Sequence, residues 1–281
     1  MINKVLYLGP NGSYSELAKN SFSQYYSSNC EFEAVDSIAK VIKKLLEDGE
    51  KAGFGAVIPI ENSIEGVVRE TQDGLLALSK LGIRILAETS LEIKHALIGY
   101  GEKSCIKTIL SHPQALAQCR EYIYKNWRDD VVLSPLLSTS AAVNSLAKLE
   151  PQRAAIASEY CAKLYGIPVI DTCVNDEANN RTRFVLLSNR KPQKSDVNKV
   201  SIAFSTENTS GALTRVLNVF EKYGINMSYI DSRPSRKELG EYVFYVDFAG
   251  YIEDASVVQA LLEIQPLVKM FEVLSEGANC V

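Results

Sequence analysis

Two amides, two guanidinium groups and a hydroxyl precede an apolar run in the sequence Asn179-Asn180-Arg181-Thr182-Arg183-Phe184. The run that follows, Val185-Leu186-Leu187, ends at Ser188-Asn189 and is typical of a short buried strand. Taken alone, the segment could be a turn followed by surface arginines, because Asn tolerates turn conformations. A strand that begins in this way would also deliver polar side chains to the edge of a packed sheet.

Four other polar stretches follow predicted strands at points where a helix begins. They are Gly9 to Ser13, Glu61 to Ser63, Ser111 to Gln114 and Ser138 to Ser140. In open α/β sheets, ligands bind beyond the carboxyl ends of the strands, so we expect these stretches to line one cleft, facing Thr182 and Arg183. Hydroxyls, amides, helix N-termini and a guanidinium suit a small anionic molecule. Nucleophilic catalysis is not favoured, because no serine has an evident base and orienting acid.

Strand and helix patterns alternate over the first 190 or so residues. This alternation predicts an α/β sheet structure with mostly parallel pairing. Ser13 to Glu16 has the pattern of a capping box, and Asp36 is expected to cap the second helix. His95 is expected inside a strand from Leu91 to Tyr100, and a helix is expected from Ala141 to Leu149.

The pattern restarts after a polar stretch, Ser188 to Asn198, which is typical of a linker. The order that follows is strand, helix, strand, strand, helix, strand, with a turn at Arg236 to Gly240 and a last strand from Phe271 to Leu274. This order predicts a ferredoxin-like βαββαβ module of about 80 residues.

The composition argues against several classes of protein. The chain has 281 residues, a net charge of −4 and 46% hydrophobic residues, which indicates a soluble globular protein without the electrostatic footprint of a nucleic-acid binder. No apolar segment is long enough to cross a membrane, and the opening residues are predicted to form a strand, not a secretion signal. The six cysteines form no C-x-x-C pair and only two histidines are present, so no metal site is expected and the thiols indicate a reduced, cytoplasmic protein.

Six ordered motifs give the chain a resemblance to prephenate dehydratases with a C-terminal ACT regulatory domain. The motifs are Leu8 to Ser13, Ile58 to Gly66, Ser111 to Cys119, Asn180 to Phe184, Gly211 to Leu213 and Asp231 to Pro234. The resemblance implies a two-lobed catalytic domain like a periplasmic binding protein over residues 1–190, followed by an ACT domain over residues 198–276. Lobe 1 is expected at about 1–77 and 168–190, and lobe 2 at about 78–167. No chorismate mutase segment is seen, so the chain resembles the monofunctional form.

The same resemblance implies an activity and its residues. Prephenate would lose carbon dioxide and water to give phenylpyruvate, in L-phenylalanine biosynthesis, with no metal, cofactor or covalent intermediate. Thr182 would assist the departing hydroxyl, while Arg183 and Phe184 would shape the pocket. Substrate binding is assigned to Asn62, Ser63, Ser111, Gln114, Thr139 and Ser140.

The resemblance also implies feedback control by L-phenylalanine, bound where two ACT domains meet in a homodimer or homotetramer. The effector-binding residues would be Gly211, Ala212, Leu213, Asn226, Met227, Ser232 and Arg233. Asp231 stands where such proteins usually carry Glu. Two alternatives remain: a preference for arogenate over prephenate, and a non-catalytic amino-acid-sensing protein with the same fold. The intact Thr182-Arg183-Phe184 segment argues against the second alternative.

Overall fold

The computed structural model describes residues 1–49, 51, 53–128, 130–146, 150–195, 198–235 and 240–281. Its strands are β1 Ile2–Leu8, β2 Tyr26–Val35, β3 Phe54–Asn62, β4 Gly66–Val67, β5 Arg84–Glu92, β6 Ala96–Gly99, β7 Thr108–Ser111, β8 Val132–Pro135, β9 Arg153–Ala157, β10 Val169–Asp171, β11 Arg181–Ser188, β12 Asn198–Ser205, β13 Met227–Pro234, β14 Tyr242–Ala249 and β15 Met270–Cys280. Its α-helices are α1 Tyr14–Ser21, α2 Ile38–Asp48, α3 Arg69–Ser79, α4 Pro113–Ala117, α5 Arg120–Trp127, α6 Thr139–Asn144, α7 Glu159–Tyr165, α8 Ala212–Lys222 and α9 Ala255–Ile264.

The strands form two sheets. Across the described residues, ten strands make one sheet in the order β13-β14-β12-β15-β5-β11-β3-β1-β2, with β4 paired to β3. The remaining five lie in the order β10-β6-β9-β7-β8. The architecture is α/β with two lobes and a ferredoxin-like βαββαβ module, as the sequence predicts. In the same described part of the chain, no helix is both long and apolar enough to cross a membrane.

The expectation of mostly parallel pairing is wrong. β1 runs parallel to β2 and β3, and β7 runs parallel to β8 and β9. However, β11 is antiparallel to both of its neighbours, β3 and β5, and β6 is antiparallel to β9 and β10. The reason is that β11 re-enters the first sheet from the second lobe and therefore runs against the strands that it joins.

The crossover points between the lobes also differ from the expected boundaries. β5, at residues 84–92, pairs with β11 in the first sheet, although residues from about 78 onward were expected in lobe 2. β10, at residues 169–171, pairs with β6 in the second sheet, although residues from 168 onward were expected in lobe 1. The chain therefore leaves the first sheet after Glu92 and returns to it at Arg181.

The C-terminal module joins the first sheet directly. The last strand extends over Met270–Cys280, well beyond the expected Leu274, and its end pairs in parallel with β5 through Asn279–Ala87 and Cys280–Glu88. The expected linker connects the two parts: Ser188 ends β11, residues 189–195 belong to no helix or strand, and Asn198 begins β12; residues 196 and 197 lie outside the described residues. The expected turn at 236–239 and the helix end at Leu149 lie outside them too.

One hydrophobic core serves both parts of the large sheet. Leu6, Ile58 and Val185 pack in the same buried cluster as Tyr245 and Leu274 from the C-terminal module. A second cluster, including Phe204, Phe220 and Phe248, fills the space between the helices and sheet of that module. A shared apolar core fixes the relative position of the two parts more firmly than a polar interface would.

The caps of the first helices show which side chains start them. Ser13 Oγ accepts a hydrogen bond from the Glu16 amide, and Glu16 Oε2 accepts one from the Gly12 amide, so the capping box is present with its return bond one residue early. The cap of α2 is Ser37, which accepts from the Lys40 amide, and the expectation for Asp36 is wrong. Asp36 instead pairs with Lys40 at 2.7 Å on the surface.

Candidate active site

A cleft of about 400 Å³ lies between the two sheets and is lined by side chains from both. The first sheet contributes Asn62, Thr182 and Phe184. The second lobe contributes Gln114 and Thr139 at the starts of α4 and α6. Five of the nine side chains that the sequence assigns to catalysis and substrate binding therefore meet in one opening.

Backbone N–H groups supply the positive potential in this cleft. No Lys or Arg belongs to its lining within the described residues, and Glu65 is the one carboxylate there. Ser13 and Ser138 cap α1 and α6, and the first turns of both helices face the opening. First-turn N–H groups lack acceptors inside their own helix and carry the positive end of the dipole. The cleft can therefore hold carboxylates without a cationic side chain.

His112 adds a directed donor at the start of α4. Its Nδ1 accepts a hydrogen bond from the Gln114 amide at 3.3 Å. A nitrogen that accepts from a backbone N–H carries no proton, so the proton of the ring lies on Nε2. His112 lines the cleft, and it belongs to the polar stretch Ser111 to Gln114.

Thr182 lies on the cleft face of β11, close to the return of the chain into the first sheet. Its side chain is 9% exposed, and Oγ1 accepts a hydrogen bond from Asn62 Nδ2 at 2.8 Å. Phe184, two residues later, is 2% exposed and forms an apolar wall of the same cleft. Residues two apart on a strand share a face, so these two side chains act on the same space.

The expectation that Arg183 shapes this pocket needs correction. Its side chain leaves the opposite face of β11 and enters a cluster of carboxylates, with Nη1 at 3.1 Å from Glu61, Nε at 3.5 Å from Glu88 and Nη2 at 2.9 Å from Asp247. Asp247 belongs to β14 of the C-terminal module. The guanidinium therefore joins that module to β11 and does not line the cleft.

Three serines assigned to substrate binding have other partners. Ser63 Oγ donates to the Asn179 carbonyl at 3.1 Å, and Ser111 Oγ donates to the Ile156 carbonyl at 2.6 Å from a fully buried position. Ser140 Oγ donates to the carbonyl of Asn11, where Gly12 leaves room for it. None of the three lines the described cleft. These hydrogen bonds connect strands or lobes of the protein. The sequence could not distinguish the two roles, because serines occur both at structural contacts and at ligand-binding positions.

No role in the cleft was assigned from the sequence to His95, Gln118 or Asn180, all of which line it. His95 is not in a strand but between β5 and β6, and it is 4% exposed. Burial lowers the pKa of its imidazole to about 4, although the hydrogen bond with Gln118 opposes this shift. One signal in the sequence could have indicated Gln118: it lies one helical turn after Gln114, so the two side chains are expected on the same side. Among the described residues, no cluster of His, Cys, Asp and Glu could hold a metal ion.

The comparisons with known proteins show the family of the chain. A family model described as prephenate dehydratase matches residues 5–192, and one described as ACT domain matches residues 200–265. The chain belongs to the prephenate dehydratase family. It is 40% identical to a prephenate dehydratase of Methanocaldococcus jannaschii over 267 residues, which cover 94% of each chain.

Solved prephenate dehydratase structures share the fold over nearly the whole chain. The enzyme from Staphylococcus aureus is 30% identical, with a TM-score of 0.80 over 98% of this chain and 100% of that chain. The enzyme from Arthrobacter aurescens, solved in complex with L-Phe, is 28% identical, with a TM-score of 0.83 over 97% of this chain and 88% of that chain. The large sheet described above therefore combines a prephenate dehydratase lobe with an ACT domain.

The residues expected to bind an effector lie in two separate places on the ACT domain. Gly211, Ala212 and Leu213 line a pocket of about 210 Å³ at the start of α8, where Gly211 has a φ of 76°. Ser232 and Arg233 line another pocket, of about 490 Å³, beside β13. Asn226 and Met227 line neither of them; Met227 packs against the ACT core, and Asn226 is exposed.

The pocket beside β13 is adjacent to the active-site cleft. Glu65, Gly66 and Val67 line both spaces, so this segment of the dehydratase domain is a shared wall. Arg233 lines the pocket beside β13 and donates to Asp73 Oδ1 at 2.5 Å and to the Arg69 carbonyl at 2.7 Å. Any ligand that moved this segment would change the shape of the cleft.

Proposed function

We propose that the chain converts prephenate to phenylpyruvate in the cleft between the two lobes. The ring carboxylate leaves as carbon dioxide, its bonding electrons enter the ring, and the C4 hydroxyl departs as water after gaining one proton. The product is aromatic, so formation of the ring supplies most of the driving force. The protein has to hold the dianion and assist the departure of the hydroxyl.

Thr182 is the residue that we assign to this assistance. A threonine hydroxyl is a poor general acid near neutral pH, so it acts as a hydrogen-bond donor to the departing oxygen. Helix N-termini and His112 Nε2 supply donors for the two carboxylates, and Phe184 supplies an apolar surface for the ring. The observation that carries the proposal is the position of the Thr182 hydroxyl in a cleft walled by first-turn N–H groups, in a chain of this family.

The direct experiment is to incubate the purified full chain with prephenate and to measure phenylpyruvate by its absorbance in alkali. We expect turnover without added metal or cofactor. The ratio of kcat/KM for prephenate and arogenate then decides between the two substrates, which differ in a keto and an amino group. An absence of turnover with both would leave the non-catalytic sensing function and refute the enzymatic one.

For regulation, we propose that L-phenylalanine binds at the β13 side of the ACT domain and acts through the shared wall. The complex of the Arthrobacter relative with L-Phe supports the choice of effector. The separation of Gly211 to Leu213 from Ser232 and Arg233 supports a site assembled from two chains, hence a homodimer or homotetramer. Asp231, one methylene shorter than Glu, would bind the ammonium group from further away.

Two measurements test this regulation. Calorimetric titration with L-phenylalanine should show binding, and steady-state rates should fall at the same effector concentrations. Light scattering should give the mass of a dimer or tetramer. A monomer that binds no L-phenylalanine and is not inhibited would remove the regulatory proposal and leave the catalytic one standing.

A further inference from the structure

A line of side-chain hydrogen bonds runs along the back of the cleft from Thr182 to His95. Asn62 Nδ2 lies 2.8 Å from Thr182 Oγ1 and 2.8 Å from Asn180 Oδ1. Asn180 Nδ2 lies 3.1 Å from Gln118 Oε1, which lies 3.3 Å from His95 Nε2. All five residues line the cleft, and the line crosses from the first sheet to the second lobe.

The direction of every bond in this line is determined at Asn62. Its Oδ1 accepts hydrogen bonds from the backbone N–H groups of Ile64 and Glu65, each at 3.0 Å. A backbone N–H can only donate, so the oxygen of the amide must face that side. The NH₂ group therefore faces Thr182 and Asn180 and donates to both.

The orientation of Asn62 also determines the directions of the hydrogen bonds at Asn180, Gln118 and His95. Since Asn180 Oδ1 accepts from Asn62, the NH₂ group of Asn180 faces Gln118 and donates to Oε1. An oxygen that faces His95 Nε2 requires that this nitrogen carry the proton. Burial lowers the pKa of His95 to about 4, so the imidazole is neutral near pH 7 and Nδ1 is unprotonated; this nitrogen is buried and has no hydrogen-bond partner among the described residues.

Asn62 has no hydrogen-bonding capacity left for a substrate. Both lone pairs of Oδ1 accept backbone N–H groups, and the two hydrogens of Nδ2 are shared among Asn180, Thr182 and the Arg181 carbonyl at 3.2 Å. Thr182 Oγ1 receives one of these hydrogens. Its own proton must point elsewhere, and no described residue accepts it.

We propose that Asn62 is a positioning residue, which donates to Thr182 Oγ1 and thereby turns the hydroxyl proton of Thr182 toward the substrate. Asn180 anchors the amide of Asn62 from the other side. This inference rests on the proposed function, because it assigns the donor geometry of the same reaction. It replaces the expectation that Asn62 itself binds substrate.

Asn62→Asp tests the direction of the hydrogen bond between residue 62 and Thr182 Oγ1. One carboxylate oxygen keeps the two backbone N–H groups, and the other becomes an acceptor for the Thr182 hydroxyl, which then points away from the substrate. We expect kcat to fall by ~10², as for loss of one aimed donor. Asn180→Asp is the matched control, since it adds the same charge to the same wall but still accepts from Asn62. We expect its kcat to fall less than about tenfold, while KM rises in both variants through the added charge.

The pH profile supplies a readout that a merely structural role would not give. When the carboxyl introduced by Asn62→Asp is protonated, its O–H donates to Thr182 Oγ1 and restores the original direction. The kcat of this variant should rise relative to wild type as pH falls through the pKa of that carboxyl, after subtraction of the enzyme-free rate. The kcat of Asn180→Asp relative to wild type should show no such rise as the pH falls.

If Asn62→Asp does not fold, as judged by circular dichroism, Asn62→Ala replaces it. This variant frees the hydroxyl to rotate, so kcat should fall by about tenfold with no rise in acid. Equal kcat losses and equal pH profiles for Asn62→Asp and Asn180→Asp would overturn the inference, as would a wild-type kcat in Asn62→Ala. A wild type without prephenate turnover would refute the proposed function instead.

Discussion

Replacing Arg183 by Met should destabilise the protein far more than it affects substrate binding. The guanidinium contacts three carboxylates at 2.9 to 3.5 Å, and the side chains of Glu88 and Asp247 are only 7% and 8% exposed. Glu88 retains Lys199 as a partner, but within the described residues Asp247 has no other cation. Removal of one partner from a buried ion pair typically costs about 3–5 kcal/mol. For a chain of this length, that loss lowers Tm by on the order of 10 °C.

The assay is thermal and urea unfolding at one fixed protein concentration, together with kcat and KM for prephenate. Arg181→Met is the matched control on the same strand, because Arg181 is exposed and, among the described residues, its side chain hydrogen-bonds only to Ser90, at 3.3 Å. Its free energy of unfolding should change by less than about 0.5 kcal/mol. The double variant Arg183→Met with Asp247→Asn should recover part of the loss, since the orphaned charge is gone, with a coupling on the order of 2 kcal/mol.

The alternative outcome is equally specific. If Arg183→Met unfolds at the same temperature as wild type but its KM for prephenate rises by a hundredfold or more, the guanidinium binds substrate. The assignment of Arg183 to the joint with the ACT domain would then be refuted.

Three further predictions follow from the site. Thr182→Val should lower kcat by ~10²–10³ while Thr182→Ser keeps most of it, because only the hydroxyl is required; equal rates would refute the donor role. His95 has a pKa near 4 when folded and 6.5 when unfolded, so the unfolded chain binds more protons between these values and acid destabilises the native state. Between pH 6.5 and 4, the free energy of unfolding should fall by about 3 kcal/mol less in His95→Gln than in wild type, as measured by urea unfolding. Arg233→Met should raise the L-phenylalanine concentration for half-inhibition, and an unchanged value would exclude Arg233 from the effector response.

Local signals predicted the parts of the fold that depend on neighbouring residues. The capping pattern of Ser13 to Glu16 and the polar ends of predicted strands identified real helix starts around one cleft. The sequence also predicted the βαββαβ order of the ACT domain, because the spacing of apolar residues distinguishes its helices from its strands. These features need no information about distant parts of the chain.

The missing parts depend on contacts between residues far apart in the sequence. The pairing of β15 with β5 joins residues almost 200 positions apart, and nothing local in either strand indicates it. Similarly, Asn62 and Asn180 are 118 positions apart, so the sequence could not predict their hydrogen bond although both residues belong to its motifs. The turn composition of Ser188 to Asn198 predicted a linker, but the shared core leaves little freedom between the two domains.

The error at Arg183 could have been avoided from the sequence. Successive side chains of a strand point to opposite faces, so Thr182 and Phe184 share one face and Arg183 must take the other. A motif of three consecutive strand residues therefore cannot act as a single site. On β11, Thr182 and Phe184 face the cleft, while Arg183 forms an ion pair with Asp247 of the ACT domain. Because the same short strand carries both, a movement of the ACT domain that displaced Asp247 would act on the residue next to Thr182. In the regulation that we propose, the shared wall at Glu65 to Val67 and the Arg183 ion pairs thus give an effector two routes to the cleft.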